Sequence, residues 1–151
     1  MQTRRDALRG SLAVATLLMG AGLLPSMAHA FEKSAFDAKS MEDVFKALGL
    51  PMPSESKDVA LTAPDIAENG AVVPMTVQSA LPGVKKLLLL VDKNPAPLVA
   101  QFMVNPAVEP SFQTRAKMGQ SCDVFAVAVM ADGKTLFAKK EVKVTLGGCG
   151  G

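Results

Sequence analysis

From residue 59 onward the sequence alternates between apolar and polar residues, in runs that Pro, Gly, Asn and Asp clusters interrupt about every ten residues. Runs of this kind, rich in β-branched and aromatic residues, predict strands. The predicted strands are Val59 to Ala63, Ala71 to Ser79, Val84 to Val91, Leu98 to Val104, Phe112 to Met118, Asp123 to Met130 and Thr135 to Leu146. About seven short strands with almost no helix between them favour an antiparallel β-sandwich of immunoglobulin-like type, and a small barrel is the alternative.

Three features of these runs predict details of the sheets. Asp132-Gly133 between the last two strands predicts a hairpin turn. Pro74 should lie at a strand edge or bulge, because proline cannot donate a ladder hydrogen bond. The stretch from Leu87 to Val91 is continuously apolar, as in a central strand that is covered on both faces or in a strand covered by a partner protein.

One short helix is predicted ahead of the strands, from about Met41 to Leu48. Ser40 stands three residues before Asp43, a pair that resembles a capping box, and Gly49 follows the helical pattern. The apolar residues at helical spacing are Met41, Val44, Phe45 and Leu48. The preceding stretch, Phe31 to Lys39, is expected to be a loose leader to the domain.

The first 30 residues have the features of an export signal. Arg4 and Arg5 stand ahead of an uncharged, largely apolar stretch from Ser11 to Leu24, and Ala28 to Ala30 has the small-x-small pattern of a cleavage site. Paired arginines in this position are typical of twin-arginine export, which carries folded proteins. An ordinary secretory signal is the alternative, because Ala7 lies where twin-arginine signals usually carry a bulky apolar residue. The apolar stretch is shorter than the ~20 residues of a membrane-spanning helix, so we expect a soluble protein outside the cytoplasm.

Without this signal the chain is formally neutral and poorly equipped for catalysis. Removing its three arginines and one aspartate from the totals of 16 basic and 14 acidic residues leaves 13 of each, which gives nucleic-acid binding no support. The only histidine, His29, lies in the signal, which excludes Ser-His-Asp and Cys-His catalysis and histidine-ligated metals. Two cysteines alone cannot form a four-cysteine site. We therefore predict no catalytic residue, no metal site and no cofactor.

The C-terminus carries the one chemical group that stands out. Cys149 lies between Gly147-Gly148 and Gly150-Gly151, and glycine accepts nearly all backbone conformations. We expect residues 147–151 to form a flexible arm on a folded domain of residues 31–146. Extended from Leu146, three residues reach about 10 Å, so the thiol can enter a narrow channel of another protein. Nothing in this terminus lowers the thiol pKa, which favours a handle that other proteins act on over a self-activated nucleophile.

The stretch "KEVKVTLGGCGG", Lys140 to Gly151, resembles the C-terminal signature of the SoxY family, the sulfur-carrier subunits of the bacterial thiosulfate-oxidising Sox system. The similarity extends through "PDIAENGAVVPM" (Pro64 to Met75), "NPAPLVAQF" (Asn94 to Phe102) and "ADGK" (Ala131 to Lys134). The resemblance implies that Cys149 carries pathway intermediates covalently in the periplasm and that the protein has no turnover of its own.

The same resemblance implies a set of partner proteins. A conjugating cytochrome attaches thiosulfate to the cysteine, a hydrolase releases sulfate, and a sulfur dehydrogenase oxidises the remaining sulfane sulfur. The carrier pairs in a heterodimer with a SoxZ-like subunit that has no signal of its own, and export in folded form then lets the pair cross together. Neither nucleic acid nor a membrane is an expected partner.

Other interpretations of the thiols stay open. Cys122 is expected to be buried and inert, although a disulfide to Cys149 is an alternative in an oxidising compartment. An exported thiol protein for metal delivery or disulfide exchange is the main alternative function, and a cytoplasmic sulfur donor ending in Gly-Gly is another. Asn69-Gly70 is interpreted as a turn, and Arg115 with Lys117 as part of a solvated face rather than a guide for anions.

Overall fold

The structure is a computed structural model that describes residues 28–145, with side chains from residue 33 onward. The chain divides into two compact units, Met1–Ala30 and Phe31–Gly151, and all the strands described below belong to the second. Among the described residues two helices precede the strands, α1 (Ala28–Asp37) and α2 (Met41–Ala47). The strands are β1 (Ser54–Glu55), β2 (Val59–Thr62), β3 (Ile66–Ala67), β4 (Val73–Ser79), β5 (Val84–Val91), β6 (Leu98–Met103), β7 (Ser111–Ala116), β8 (Cys122–Met130) and β9 (Thr135–Val144).

The strands form two sheets packed as a sandwich. The larger sheet has the order β1-β9-β8-β5-β6, with β3 also paired to β9, and the smaller sheet has the order β2-β4-β7. All pairings are antiparallel except those of the two-residue strands β1 and β3, which run parallel to β9. The predicted antiparallel sandwich of immunoglobulin-like type is confirmed, and each of the seven predicted strands is present, within a few residues at the ends.

The continuous apolar stretch in β5 faces two hydrophobic cores. Leu87 and Leu89 point into the core between the two sheets, whereas Leu88 and Leu90 point to the opposite face of the larger sheet. All four side chains are fully buried. Because successive side chains of a strand point to opposite faces, a central strand that is covered on both sides carries no polar alternation. The first interpretation of this stretch, a central strand, is therefore confirmed.

The outer face of the larger sheet is covered by the helices. Val44 and Phe45 of α2 and Ala35 of α1 are buried in one cluster with Leu88 and Leu90. α2 begins as predicted, because the backbone N–H of Asp43 donates to the Ser40 hydroxyl at 3.1 Å.

The segment before α2 differs from the prediction. Phe31 to Lys39 is not a loose leader, since α1 occupies it as far as Asp37. The helix has no acidic residue in its first turn and no basic residue in its last turn, so the usual helix signals are missing from the sequence. Burial of Ala35 in the outer core supports the helix instead.

The predicted turn and strand-edge features are found. Gly133 has a φ of 86° in the β8–β9 turn, a conformation that favours glycine, and its N–H donates to the carbonyl of Met130 at 3.1 Å. In β4, the N–H of Ser79 points to the β7 side, so the nitrogens of Pro74 and Thr76 point to the β2 side. β2 ends at the residue opposite Thr76, and the missing N–H of Pro74 therefore lies beyond the ladder, at a local strand edge.

Candidate functional site at the C-terminal arm

The predicted carrier residue and its arm lie outside the described residues. These are Cys149 with Gly147, Gly148, Gly150 and Gly151. The structure describes the chain as far as Thr145. It therefore defines how the polypeptide is held immediately before the arm.

The β8–β9 ladder ends shortly before that point. Its last pair is Cys122 opposite Val142. Two residues later, the N–H of Val144 donates to the side-chain hydroxyl of Ser121 at 2.8 Å. A serine side chain thus takes the place of the strand carbonyl that would continue the ladder, and the N–H near the end of β9 keeps an acceptor.

Residues 63–70, which we call the strap, hold β9 from its other side. The N–H of Lys143 donates to the carbonyl of Asp65 at 3.0 Å, and the N–H of Thr145 donates to the carbonyl of Ala67 at 3.1 Å. These bonds make β3 a short parallel partner of β9. Three consecutive N–H groups, at residues 143–145, therefore have acceptors on alternate sides of the strand.

Gly70 closes the strap against the same strand end. The N–H of Met118 donates to the carbonyl of Gly70 at 2.7 Å. A Cβ added to Gly70 would lie 2.5 Å from the carbonyl oxygen of Met118 and 2.8 Å from Cγ1 of Val144. Only glycine fits here without displacing backbone, so this position has a packing role in addition to its place in the predicted Asn69-Gly70 turn. The turn itself is present, since the N–H of Ala71 donates to the Asn69 side chain at 2.9 Å.

An ion pair adds a weaker connection between the strap and β9. Lys140 Nζ lies 2.9 Å from Oδ1 of Asp65 and also donates to the carbonyl of Ala63. The Asp65 side chain is 88% exposed, and exposed pairs of this kind contribute only about 0–1 kcal/mol. The backbone bonds and the Gly70 contact, rather than this pair, define the end of β9.

Cys122 is placed as the sequence predicted, in a buried position. Its residue is 8% exposed, it belongs to the core between the sheets, and its thiol is free. Burial raises the pKa of the Cys122 thiol above its usual value, against a backbone hydrogen bond from Lys93 that lowers it; the nearby carboxylate of Asp92 adds to the rise. A thiol in this setting is mostly protonated at neutral pH and is therefore a poor nucleophile.

The described residues contain no cluster of three or more His, Cys, Asp or Glu that could hold a metal ion. Met75 and Met118 fill the core and are each 1% exposed, as expected of methionines that serve packing. Between residues 28 and 145, no helix has the length and apolar character needed to cross a membrane.

Neither the strap nor the role of Ser121 is predicted from the sequence. β3 has two residues, which is too short to show a period, and Ser121 lies between the strand-like runs with no motif around it. For Gly70 the sequence predicts only a turn. The sequence gives no sign of the packing role of Gly70, because Met118 and Val144, which restrict the space around it, are far from it in sequence.

Comparison with known proteins gives a family match over most of the chain. The family described as "Sulfur oxidation protein SoxY" matches residues 44–149, so the last matched residue is Cys149. Among solved structures, the sulfur carrier protein SoxY from Chlorobium limicola f thiosulfatophilum is 34% identical, with a TM-score of 0.62, over 70% of this chain and 94% of that chain. No match was found among curated proteins.

More distant similarity is limited to the fold. A superoxide reductase (neelaredoxin) from Ignicoccus hospitalis is 17% identical with a TM-score of 0.51, over 58% of this chain and 79% of that chain. A putative superoxide reductase from Thermotoga maritima is 13% identical with a TM-score of 0.52, over 62% and 88%. At such identities the likeness concerns the β-sandwich and not its chemistry.

Proposed function

The chain belongs to the SoxY family of sulfur oxidation proteins, and from this premise we propose that it is a periplasmic sulfur carrier that holds intermediates of thiosulfate oxidation covalently on Cys149. The observation that carries the proposal is the extent of the family match, which begins within α2 and ends on Cys149 itself. The solved relative that is 34% identical is named a sulfur carrier protein.

The chemistry of the thiol supports this assignment. Joining thiosulfate to Cys149 forms a sulfur–sulfur bond between Sγ and the sulfane sulfur, releases the thiol proton and passes two electrons to the enzyme that catalyses the step. Hydrolysis of the resulting thiosulfonate adds water, releases sulfate and leaves a persulfide on the cysteine. Both products are stable forms of a cysteine side chain, and neither step requires a metal or an acid–base group from the carrier.

The other enzymes of the pathway supply the catalysis. We assign the loading step to a cytochrome-type enzyme, the release of sulfate to a hydrolase and the oxidation of the persulfide sulfur to a sulfur dehydrogenase. A SoxZ-like subunit is the proposed heterodimer partner. The proposed export signal in residues 1–30 supports the periplasm as the compartment, and the paired Arg4 and Arg5 favour the twin-arginine route for a folded complex.

Intact-mass analysis tests the proposal directly. The protein is isolated from cells grown with and without thiosulfate, as wild type and as the variants Cys149→Ser and Cys122→Ser. We expect mass additions of sulfur atoms or of thiosulfate-derived groups in the wild type and in Cys122→Ser, only when thiosulfate is supplied, and none in Cys149→Ser. The proposal fails if the wild type gains no such mass, or if the additions map to Cys122.

A reconstituted assay separates the carrier from its main alternative. With the partner enzymes present, Cys149→Ser should abolish thiosulfate-dependent electron transfer, while the circular dichroism spectrum and melting temperature stay at wild-type values. An exported protein for metal delivery or disulfide exchange would instead bind copper stoichiometrically or turn over dithiols in the absence of thiosulfate.

A further inference from the structure

The backbone N–H groups at the end of β9 have hydrogen-bond acceptors even beyond the last pair of the β8–β9 ladder. The β8–β9 pairing stops at Val142, yet the N–H groups of Lys143, Val144 and Thr145 all have acceptors. Two acceptors are carbonyls of the strap, and the third is the hydroxyl of Ser121. Gly70 lies so near the side chain of Val144 that an added Cβ would come within 2.8 Å of its Cγ1 atom.

We propose that the strap and Ser121 form a clasp that fixes the polypeptide as far as Thr145 and thereby sets the free length of the arm that presents Cys149. This inference rests on the proposed function, because it concerns how the carrier thiol is delivered to partner enzymes. It assigns a positioning role to Gly70 and Ser121, neither of which belongs to the arm.

Free length matters because it determines the local concentration of the thiol at a docked enzyme. With the clasp closed, the chain takes four Cα–Cα steps from Thr145 to Cys149; with the clasp open back to Val142, it takes seven. With flexible-chain scaling, the root-mean-square span grows from about 11 Å to about 15 Å. Effective concentration falls roughly as the −3/2 power of length, which gives about a two- to threefold loss.

Two substitutions open the clasp by different means. Gly70→Ala places a Cβ 2.5 Å from the backbone oxygen of Met118 and 2.8 Å from Cγ1 of Val144, so the strap must shift relative to these two residues. Ser121→Ala removes only the acceptor of the Val144 N–H. The second change is small, which keeps the test valid if Gly70→Ala disturbs folding.

Matched controls are available in the same chain. Gly119→Ala is the control for the glycine, because nothing lies within 4 Å of a Cβ added there. Ser111→Ala is the control for the hydroxyl, since Ser111 is exposed and lies on β7, on the other sheet.

The first experiment measures amide hydrogen exchange of residues 143–145 by NMR in the protein as isolated. We expect protection in the wild type and in both controls, and roughly fivefold faster exchange of Val144 in Ser121→Ala, as the loss of one hydrogen bond predicts. Gly70→Ala should accelerate all three amides. Rapid exchange in the wild type, or unchanged protection in both variants, would overturn the clasp.

The second experiment separates positioning from a general effect on stability or on the thiol. Enzymatic loading of Cys149 is measured beside its reaction with a small thiol reagent. We expect loading at subsaturating enzyme to fall about two- to threefold in both clasp variants, with the small-reagent rate unchanged and both controls at wild-type rates. Equal changes in the two rates, or unchanged loading with exchange accelerated, would refute the positioning role. A wild type that takes up no sulfur would refute the proposed function, and the exchange rates would still decide whether the clasp exists.

Discussion

Cys122 and Val142 lie opposite each other at the last pair of the β8–β9 ladder, and both side chains are buried in the core between the two sheets. The cysteine is therefore part of the packing that precedes the arm. Its low exposure and raised pKa describe a protected thiol, whereas Cys149, which lies outside the described residues, is expected from the sequence to be accessible. One chain thus contains two thiols with opposite expected reactivity.

The first prediction concerns the rates at which the two cysteine thiols are alkylated. In the folded, reduced protein at neutral pH, an alkylating reagent should modify Cys149 quickly and Cys122 at least an order of magnitude more slowly, because burial limits both access and thiolate formation. Peptide mass mapping over time gives the two rates, and unfolding in denaturant should make them similar. Comparable rates in the folded protein would contradict the buried setting of Cys122.

A second prediction follows from the raised pKa of Cys122. The folded state favours the protonated thiol, so its contribution to stability is complete below the unfolded-state pKa of about 8.5 and is lost as pH rises through the higher folded-state pKa. In a Cys149→Ser background, the free energy of unfolding should decline more steeply above pH ~8.5 with Cys122 present than in Cys122→Ala. Denaturant titrations from pH 7 to pH 10 provide the comparison. If the free energy of unfolding has the same pH dependence with and without Cys122, the pKa of Cys122 is not raised in the folded state.

Most of the fold could be predicted from the sequence because its signals are local. Runs rich in β-branched and other apolar residues, bounded by turn residues and mostly with period-two alternation, predict the seven longer strands, and Asp132-Gly133 predicts the last turn. The residues of α1 show no comparable pattern, and the helix packs Ala35 against a sheet face built from β5, β6 and β8. That face exists only once the strands have assembled into the sheet. The packing of Ala35 against it therefore cannot be predicted from the residues of α1.

The candidate site divides in the same way. The terminal Cys149 and its glycines form a contiguous motif, whereas the clasp joins Gly70, Ser121 and Val144 from three separate segments. Its acceptors are mostly backbone carbonyls, which carry no sequence signature. The carrier role of Cys149 stays a prediction, since that residue lies outside the part of the chain that the structure describes.

The third prediction tests the outer core. Phe45 is 1% exposed and packs with Leu88 and Leu90, so Phe45→Ala should lower the free energy of unfolding by about 3–5 kcal/mol through lost burial and a cavity. Met52→Ala is the control, since Met52 is 58% exposed and should change stability by less than about 0.5 kcal/mol. Chemical denaturation gives both values. If Phe45→Ala lowers the free energy of unfolding no more than Met52→Ala does, α2 does not cover this face of the sheet.

The last prediction concerns Gly133 in the β8–β9 turn, which sets the register of the strand that leads to the arm. Its φ of 86° is unfavourable for residues with a Cβ, so Gly133→Ala should cost about 1–2 kcal/mol, although nothing lies within 4 Å of the added atom. Gly133→Asn should cost less, because asparagine tolerates positive φ. Gly119→Ala, at a position that has equal space and no positive φ, should leave stability unchanged or raise it slightly. If Gly133→Asn loses as much stability as Gly133→Ala, the positive φ of Gly133 is not the cause of the loss. A smaller loss in Gly133→Asn assigns the cost to backbone conformation alone, with the β8–β9 register intact.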